Sequence, residues 1–125
     1  WRDWSSDVCS SGSAGLASMK VLTDENLVVS CSVKSMLFRN QLKHDLISEI
    51  RGEGLLLAVK LTRPEYVRYA IAKAPEFGLV LDYFLFCDSA FRITPPLTIN
   101  EEEISWACTQ LGKLLDDAEK NVRDK

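Results

Sequence analysis

Arg92 is the side chain in this sequence best placed to do chemistry. It lies in Phe91-Arg92-Ile93-Thr94-Pro95-Pro96-Leu97, between two apolar residues. An extended backbone turns Phe91 and Ile93 to a core-facing side and the guanidinium to the other. Pro95 and Pro96 have no amide donor, so the strand must stop there. Asn100 is a good N-cap for the next segment, with Glu103 at the third helical position to complete a capping box. Glu101, Glu102 and Glu103 then face the positive end of the helix dipole. An arginine held on rigid backbone suits a carboxylate. It stays charged at every accessible pH and forks two N–H groups onto two oxygens, which aligns as well as attracts. From the residues alone, an ion pair with a nearby acid is the commoner use of such an arginine.

Other polar residues are weaker candidates. Asp82, Tyr83 and Asp88 flank the approach to Arg92, where they either line a substrate entrance or are plain surface. The three glutamates read as a helix start before they read as a metal site. His44, the single histidine, sits at a helix end, where it can meet terminal carbonyls, with no nucleophile in a recognisable motif nearby. Cys9, Cys31, Cys87 and Cys108 have no CxxC or Cys/His spacing, so neither a metal site nor a disulfide frame is supported. Buried free thiols in a reducing compartment are the simpler reading. Arg51, Gly52 and Gly54 read as structural, the glycines permitting a bend or positive φ.

The elements that must position Arg92 follow from apolar periodicity. Ala14, Leu16, Ala17, Met19, Val21 and Leu22 predict a helix from Ser13. Thr23-Asp24-Glu25 resets it, with Thr23 as cap, and an apolar helical face continues from Leu27 to about Lys43. Strands are predicted at Ile47–Arg51 and Leu55–Leu61. Pro64 opens a helix that Pro75 must end or kink near Ala74, with Gly78 at the stop. Leu79–Phe84 is the next strand, Cys87-Asp88-Ser89 a loop, and Ala90–Thr94 the last strand. Glu101 to about Lys120 carries a clean 3-4 repeat through Ile104, Cys108, Leu111, Leu115 and Ala118. The fold class is therefore α+β: a small, mainly antiparallel sheet covered by helices and preceded by a long helix.

With 125 residues the chain is one domain's worth, and 46% hydrophobic with 26% charged residues is ordinary for a globular protein. A net charge of −3 leaves no basic footprint for nucleic acid. No apolar run approaches a membrane span, and the start lacks the basic-then-apolar pattern of a signal peptide. No nucleic-acid or membrane partner is expected, and the expected location is cytoplasmic. Residues 1–12 stand apart. Asp3-Trp4-Ser5-Ser6-Asp7-Val8-Cys9-Ser10-Ser11 matches one translated frame of a common sequencing adapter. The stretch has no apolar period, so it is expected to be a non-native, disordered leader without tertiary contacts, leaving Trp1 and Trp4 unburied.

Ile50-Arg51-Gly52-Glu53-Gly54-Leu55, the Gly78-led strand, Arg92-Ile93-Thr94-Pro95-Pro96-Leu97 and the acid-capped last helix occur here in a fixed order. That ordered set, with Ala14 to Leu27 ahead of it, resembles the C-terminal part of class III aminotransferases. These are pyridoxal 5'-phosphate enzymes of fold type I, and the acetylornithine/ornithine branch is the one most resembled. The resemblance implies a connecting helix over residues 13–45, kinked near 23, and a C-terminal small domain over 46–125. It implies that Arg92 binds a substrate carboxylate near the cofactor. For the parent enzyme it implies amino transfer from an ornithine-type donor to 2-oxoglutarate, with amino acids and 2-oxo acids as substrates and a homodimeric state. No lysine here falls in the family's Schiff-base motif, so the chain is expected to be an inactive fragment with no cofactor-binding residue of its own. The competing expectations are a non-catalytic carboxylate-binding or regulatory α+β module, and a purely structural domain.

Overall fold

The computed structural model describes the backbone of residues 4–84 and 86–123, and side chains over 12–84 and 86–122. Two helices come first, α1 (Trp4–Asp24) and α2 (Leu27–Gln41). They are followed by β1 (Ile47–Glu53), β2 (Leu56–Leu61), α3 (Pro64–Lys73), β3 (Asp82–Phe84), β4 (Cys87–Ile93) and α4 (Glu101–Arg123). The four strands form one antiparallel sheet in the order β1-β2-β4-β3, so the fold is α+β, as the sequence pattern predicts.

Register sorts the sheet into two faces, because residues paired across antiparallel strands point the same way. One row is Ile50–Val59–Phe91–Tyr83, and another is Gly52–Leu57–Ile93. Leu57, Val59, Phe91 and Ile93 are buried. Over this face lies α3, with α4 packed against α3 and α2, and α2 against β1. On α4, Ile104, Cys108, Leu111, Leu115 and Ala118 are buried, the stripe that the 3-4 repeat predicts. The opposite face carries the row Arg51–Ala58–Arg92–Asp82 and, beside it, Glu49–Lys60–Ala90. Its two inner strands alternate small and basic residues, Ala58 beside Arg92 and Ala90 beside Lys60.

Several local expectations are met by identifiable chemistry. Asn100 Oδ1 accepts the Glu103 N–H at 2.8 Å, and Glu103 Oε2 accepts the Asn100 N–H at 2.9 Å, a complete capping box. The third helix stops at Lys73, and Pro75 stands in a 3-10 turn over Ala74–Phe77. Gly78, at φ 73°, ends that turn, with Leu79 N–H to Ala74 O at 2.9 Å and Gly78 N–H to Pro75 O at 3.1 Å. This is the Schellman pattern, and it needs a residue that tolerates the left-handed region.

Other expectations are corrected. Residues 4–12, expected to be disordered, are helical as the start of α1. The stretch contains no proline, and lengthening an existing helix costs only modest propensity per residue, whatever the stretch buries. The burial of Trp1 and Trp4 lies outside the described side chains. The helix break falls at Asn26 and not at Thr23, whose hydroxyl bonds back to Lys20 O at 2.9 Å and is spent within α1. Asn26 adopts φ 51°, a region that asparagine tolerates better than most residues. Cys87, Asp88 and Ser89 belong to β4 and not to a loop, because β3 ends at Phe84 and β4 already begins at Cys87. The Leu79–Phe84 strand begins only at Asp82.

Candidate functional site

Arg92 sits near the middle of the open face, two residues before the proline exit. Its strand neighbours Phe91 and Ile93 are buried on the covered face, so the backbone at this position is held from below. Its side chain is 37% exposed and lies over the Phe84 ring, 6.0 Å from the centroid. Asp82, its direct partner across the β3–β4 pair, forms an ion pair with Nη2. The second Asp82 oxygen, Oδ1, accepts the Tyr83 N–H at 2.8 Å. Arg92 Nε is buried and has no hydrogen-bond partner among the described residues. Asp82, Tyr83, Phe84, Phe86 and Arg92 line an open hollow of about 420 Å³. The hollow thus offers a cation held at one corner and an apolar lining from Phe84 and Phe86.

Two basic side chains of α2 tie down segments on either side of β2 and β4 in sequence. Arg39 Nη1 donates to Ile50 O at 2.7 Å, and Nη2 donates to Gly52 O at 2.8 Å. Lys34 Nζ donates to Leu97 O at 2.5 Å. One helix therefore grips both the Arg51-Gly52-Glu53-Gly54 bend and the segment after the double proline. The sequence reading passed over both side chains, since a basic residue on a helix face gives no sign of a distant carbonyl partner. Gly52 has φ 129°, and a Cβ there would fall 2.0 Å from Leu56 O. Gly54 has φ 53°. The glycines are structural, as expected.

Among the remaining candidates, Arg51 pairs with Glu49 at 2.9 Å on the exposed strand surface. Asp82 and Tyr83 do line the hollow, whereas Asp88 does not. His44 is no carbonyl cap: Nδ1 accepts the Leu46 N–H at 3.1 Å, and Nε2 faces Asp116 Oδ1 at 3.2 Å, pinning a loop to α4. The described residues hold no cluster of three or more metal-ligating side chains. Cys31, Cys87 and Cys108 are free thiols, and burial pushes Cys108 up to about 11. No helix among the described residues is long and apolar enough to cross a membrane.

A cofactor that forms a Schiff base needs a lysine with an accessible neutral amine and an anion cradle beside it. No lysine lines the hollow at Arg92. Lys34 is engaged with Leu97 O, and Lys73 is paired with Glu76 at 2.7 Å, which raises its pKa instead of lowering it. The hollow at Arg92 therefore does not fit such a group.

Comparison with known proteins places these features in a family. The family described as class-III aminotransferase matches residues 9–115, starting inside the stretch read as a leader. The chain is 33% identical over 103 residues to an ornithine aminotransferase of Brevibacillus brevis, covering 80% of this chain and 25% of that protein. It is 36% identical over 111 residues to an acetylornithine aminotransferase of Mycolicibacterium smegmatis, covering 84% and 27%. Among solved structures, it superposes on the omega transaminase of Pseudomonas jessenii in complex with PMP at TM-score 0.71 and 28% identity, over 81% of this chain and 25% of that one. The ornithine delta-aminotransferase of Plasmodium falciparum gives TM-score 0.71 at 28% identity, over 82% and 27%. The chain thus spans about a quarter of the length of the relatives it matches.

Proposed function

The chain belongs to the class-III aminotransferase family, and from that premise we propose that it is the C-terminal small domain of a pyridoxal 5'-phosphate-dependent aminotransferase, with Arg92 as its substrate-binding residue. The observation that carries this reading is the Arg92 corner: a guanidinium on rigid strand backbone, partly exposed in a hollow, with a buried Nε lacking any partner among the described residues. An arginine whose only task was an ion pair would satisfy its buried donors, since an unmet buried N–H costs about 1–3 kcal/mol. A carboxylate that displaces Asp82 from Nη2 and takes Nε with it removes that cost and is aligned by two parallel bonds.

The proposed reaction of the whole protein moves an amino group from an ornithine-type donor, acetylornithine or ornithine, to 2-oxoglutarate. Names of the similar curated proteins support the donor class. The cofactor would supply the electron sink for that exchange, and it would be held by parts of the protein other than these residues. The role of this chain is narrower. Arg92 binds and orients a carboxylate, the small Ala58 beside it leaves room on the open face, and α2 fixes both motif segments through Arg39 and Lys34. By itself the chain is proposed to be inactive. The whole protein is proposed to work on small amino acids and 2-oxo acids in the cytoplasm, as a homodimer.

The test is an assay of the whole protein with acetylornithine or ornithine and 2-oxoglutarate, following glutamate formation, alongside the 125-residue chain. Glutamate from the whole protein and none from the chain is the expected result. Glutamate made equally well by a whole-protein Arg92→Gln variant would overturn the assignment of Arg92.

A further inference from the structure

We propose that the hollow at Arg92 takes carboxylates that carry a flat apolar group, and that Phe86 is the residue that selects them. The proposal rests on the reading of Arg92 given above and adds the chemistry of what lies beside the bound carboxylate. Three observations carry it. The hollow, about 420 Å³, falls within the roughly 300–1,000 Å³ of small-molecule sites and brings Arg92 together with the rings of Phe84 and Phe86. Phe86 is 100% exposed, so its ring adds no burial to the fold of this chain. Phe84 is already engaged, with the Arg92 guanidinium 6.0 Å from its ring centroid. Phe86 is therefore the ring with a face to offer.

A carboxylate held by Arg92 fixes one end of a ligand, and the rest must lie along the lining. A flat apolar group placed there covers Phe86 and gains both buried area and a ring–ring contact. A short aliphatic chain covers less of the ring and makes no such pair. Charge points the same way. Arg92 is the single cation of the lining, and the other ionised group, Asp82, is paired with it. Beyond its carboxylate, a ligand therefore gains most by being uncharged.

The experiment titrates the 125-residue chain with butyrate and with 3-phenylpropionate, which differ in the ring, and reads the backbone amides of β4. In the parent chain 3-phenylpropionate should bind about two- to tenfold more tightly than butyrate, the factor one aromatic pair supplies. Phe86→Ala should bring the two ligands within twofold of each other and leave butyrate unchanged. Phe86→Leu should fall between, and Arg92→Gln should lose the response to both. Melting curves identify a variant that fails to fold, in which case the other Phe86 variant is read. An unchanged preference in the folded Phe86 variants, with Arg92→Gln silent, overturns the role of Phe86 and leaves Arg92 in place. Equal responses in the Arg92→Gln and parent chains overturn both. Shifts at Phe86 that follow chain concentration and not ligand assign the ring to a contact between copies, which also overturns the proposal.

Discussion

At the scale of single residues, Arg92 and Cys108 make separable predictions. In the whole enzyme, Arg92→Lys keeps a charge but loses the planar fork. If the site is covered during turnover, losing that bidentate pair costs on the order of 2–5 kcal/mol in the amino-acid half-reaction. Cofactor loading, read from Schiff-base absorbance, should hardly change. A purely structural arginine gives the reverse pattern, a lower melting temperature with normal kinetics, so kinetics and melting on one variant decide it. Cys108 tests the core. Its thiol is raised by burial from 9.0 to about 11. Between those values the unfolded chain releases a proton that the folded chain retains, so this group's contribution to stability falls as pH rises from about 9 to about 11. Denaturant midpoints across that range should drop less in Cys108→Ala than in the parent chain.

At the scale of elements, the two tightest local designs are the Gly52 bend and the start of α4. Gly52→Ala puts a Cβ 2.0 Å from Leu56 O at a φ of 129°. The conformation alone costs about 1–3 kcal/mol for a non-glycine residue, and the β1–β2 pair must shift besides. A denaturation midpoint lowered by less than the equivalent of ~1 kcal/mol would contradict this account of the bend. Asn100→Ala removes the acceptor of the Glu103 N–H and should cost about 0.5–2 kcal/mol, with Asn100→Gly costing only a few tenths. No loss of stability in Asn100→Ala would mean that the cap contributes nothing.

At the scale of the whole molecule, the consecutive helices α1 and α2 each turn apolar side chains to solvent. Val28, Val29, Val33 and Met36 on α2 and Leu16 and Met19 on α1 are all half exposed or more, Val29 reaching 73%. Single exposed apolar residues are ordinary, but a contiguous run on neighbouring turns is the mark of a surface meant to be covered. Given that the chain spans about a quarter of its relatives' length, the expected result for the isolated chain is self-association or binding of a hydrophobic dye. A monodisperse, dye-silent monomer would show that this surface is tolerated alone.

Much of this molecule was legible in one dimension, and the reason is locality. The capping box at Asn100, the stop at Pro75 and Gly78, and the buried stripe of α4 each depend on residues within a turn or two of one another, so spacing alone specifies them. The alternation of Phe91, Arg92 and Ile93 likewise set the guanidinium on the uncovered face before any strand partner was known. Boundaries were less legible. Thr23 and Asn26 are both plausible helix punctuation, and only the hydrogen bond of Thr23 back into α1 assigns the break to Asn26. The start of α1 escaped notice because its residues lack an apolar period, which is a signal of burial and not of helix formation itself. What tertiary structure alone decided is the set of long-range partners. Arg39 reaches the carbonyls of Ile50 and Gly52, Lys34 reaches Leu97, and Asp82 lies opposite Arg92. Each depends on strand register or helix docking, and these are fixed by the sum of core packing and not by any motif. The sequence could thus name the arginine, while only the folded sheet could show which carboxylate holds it and which of its donors is left free.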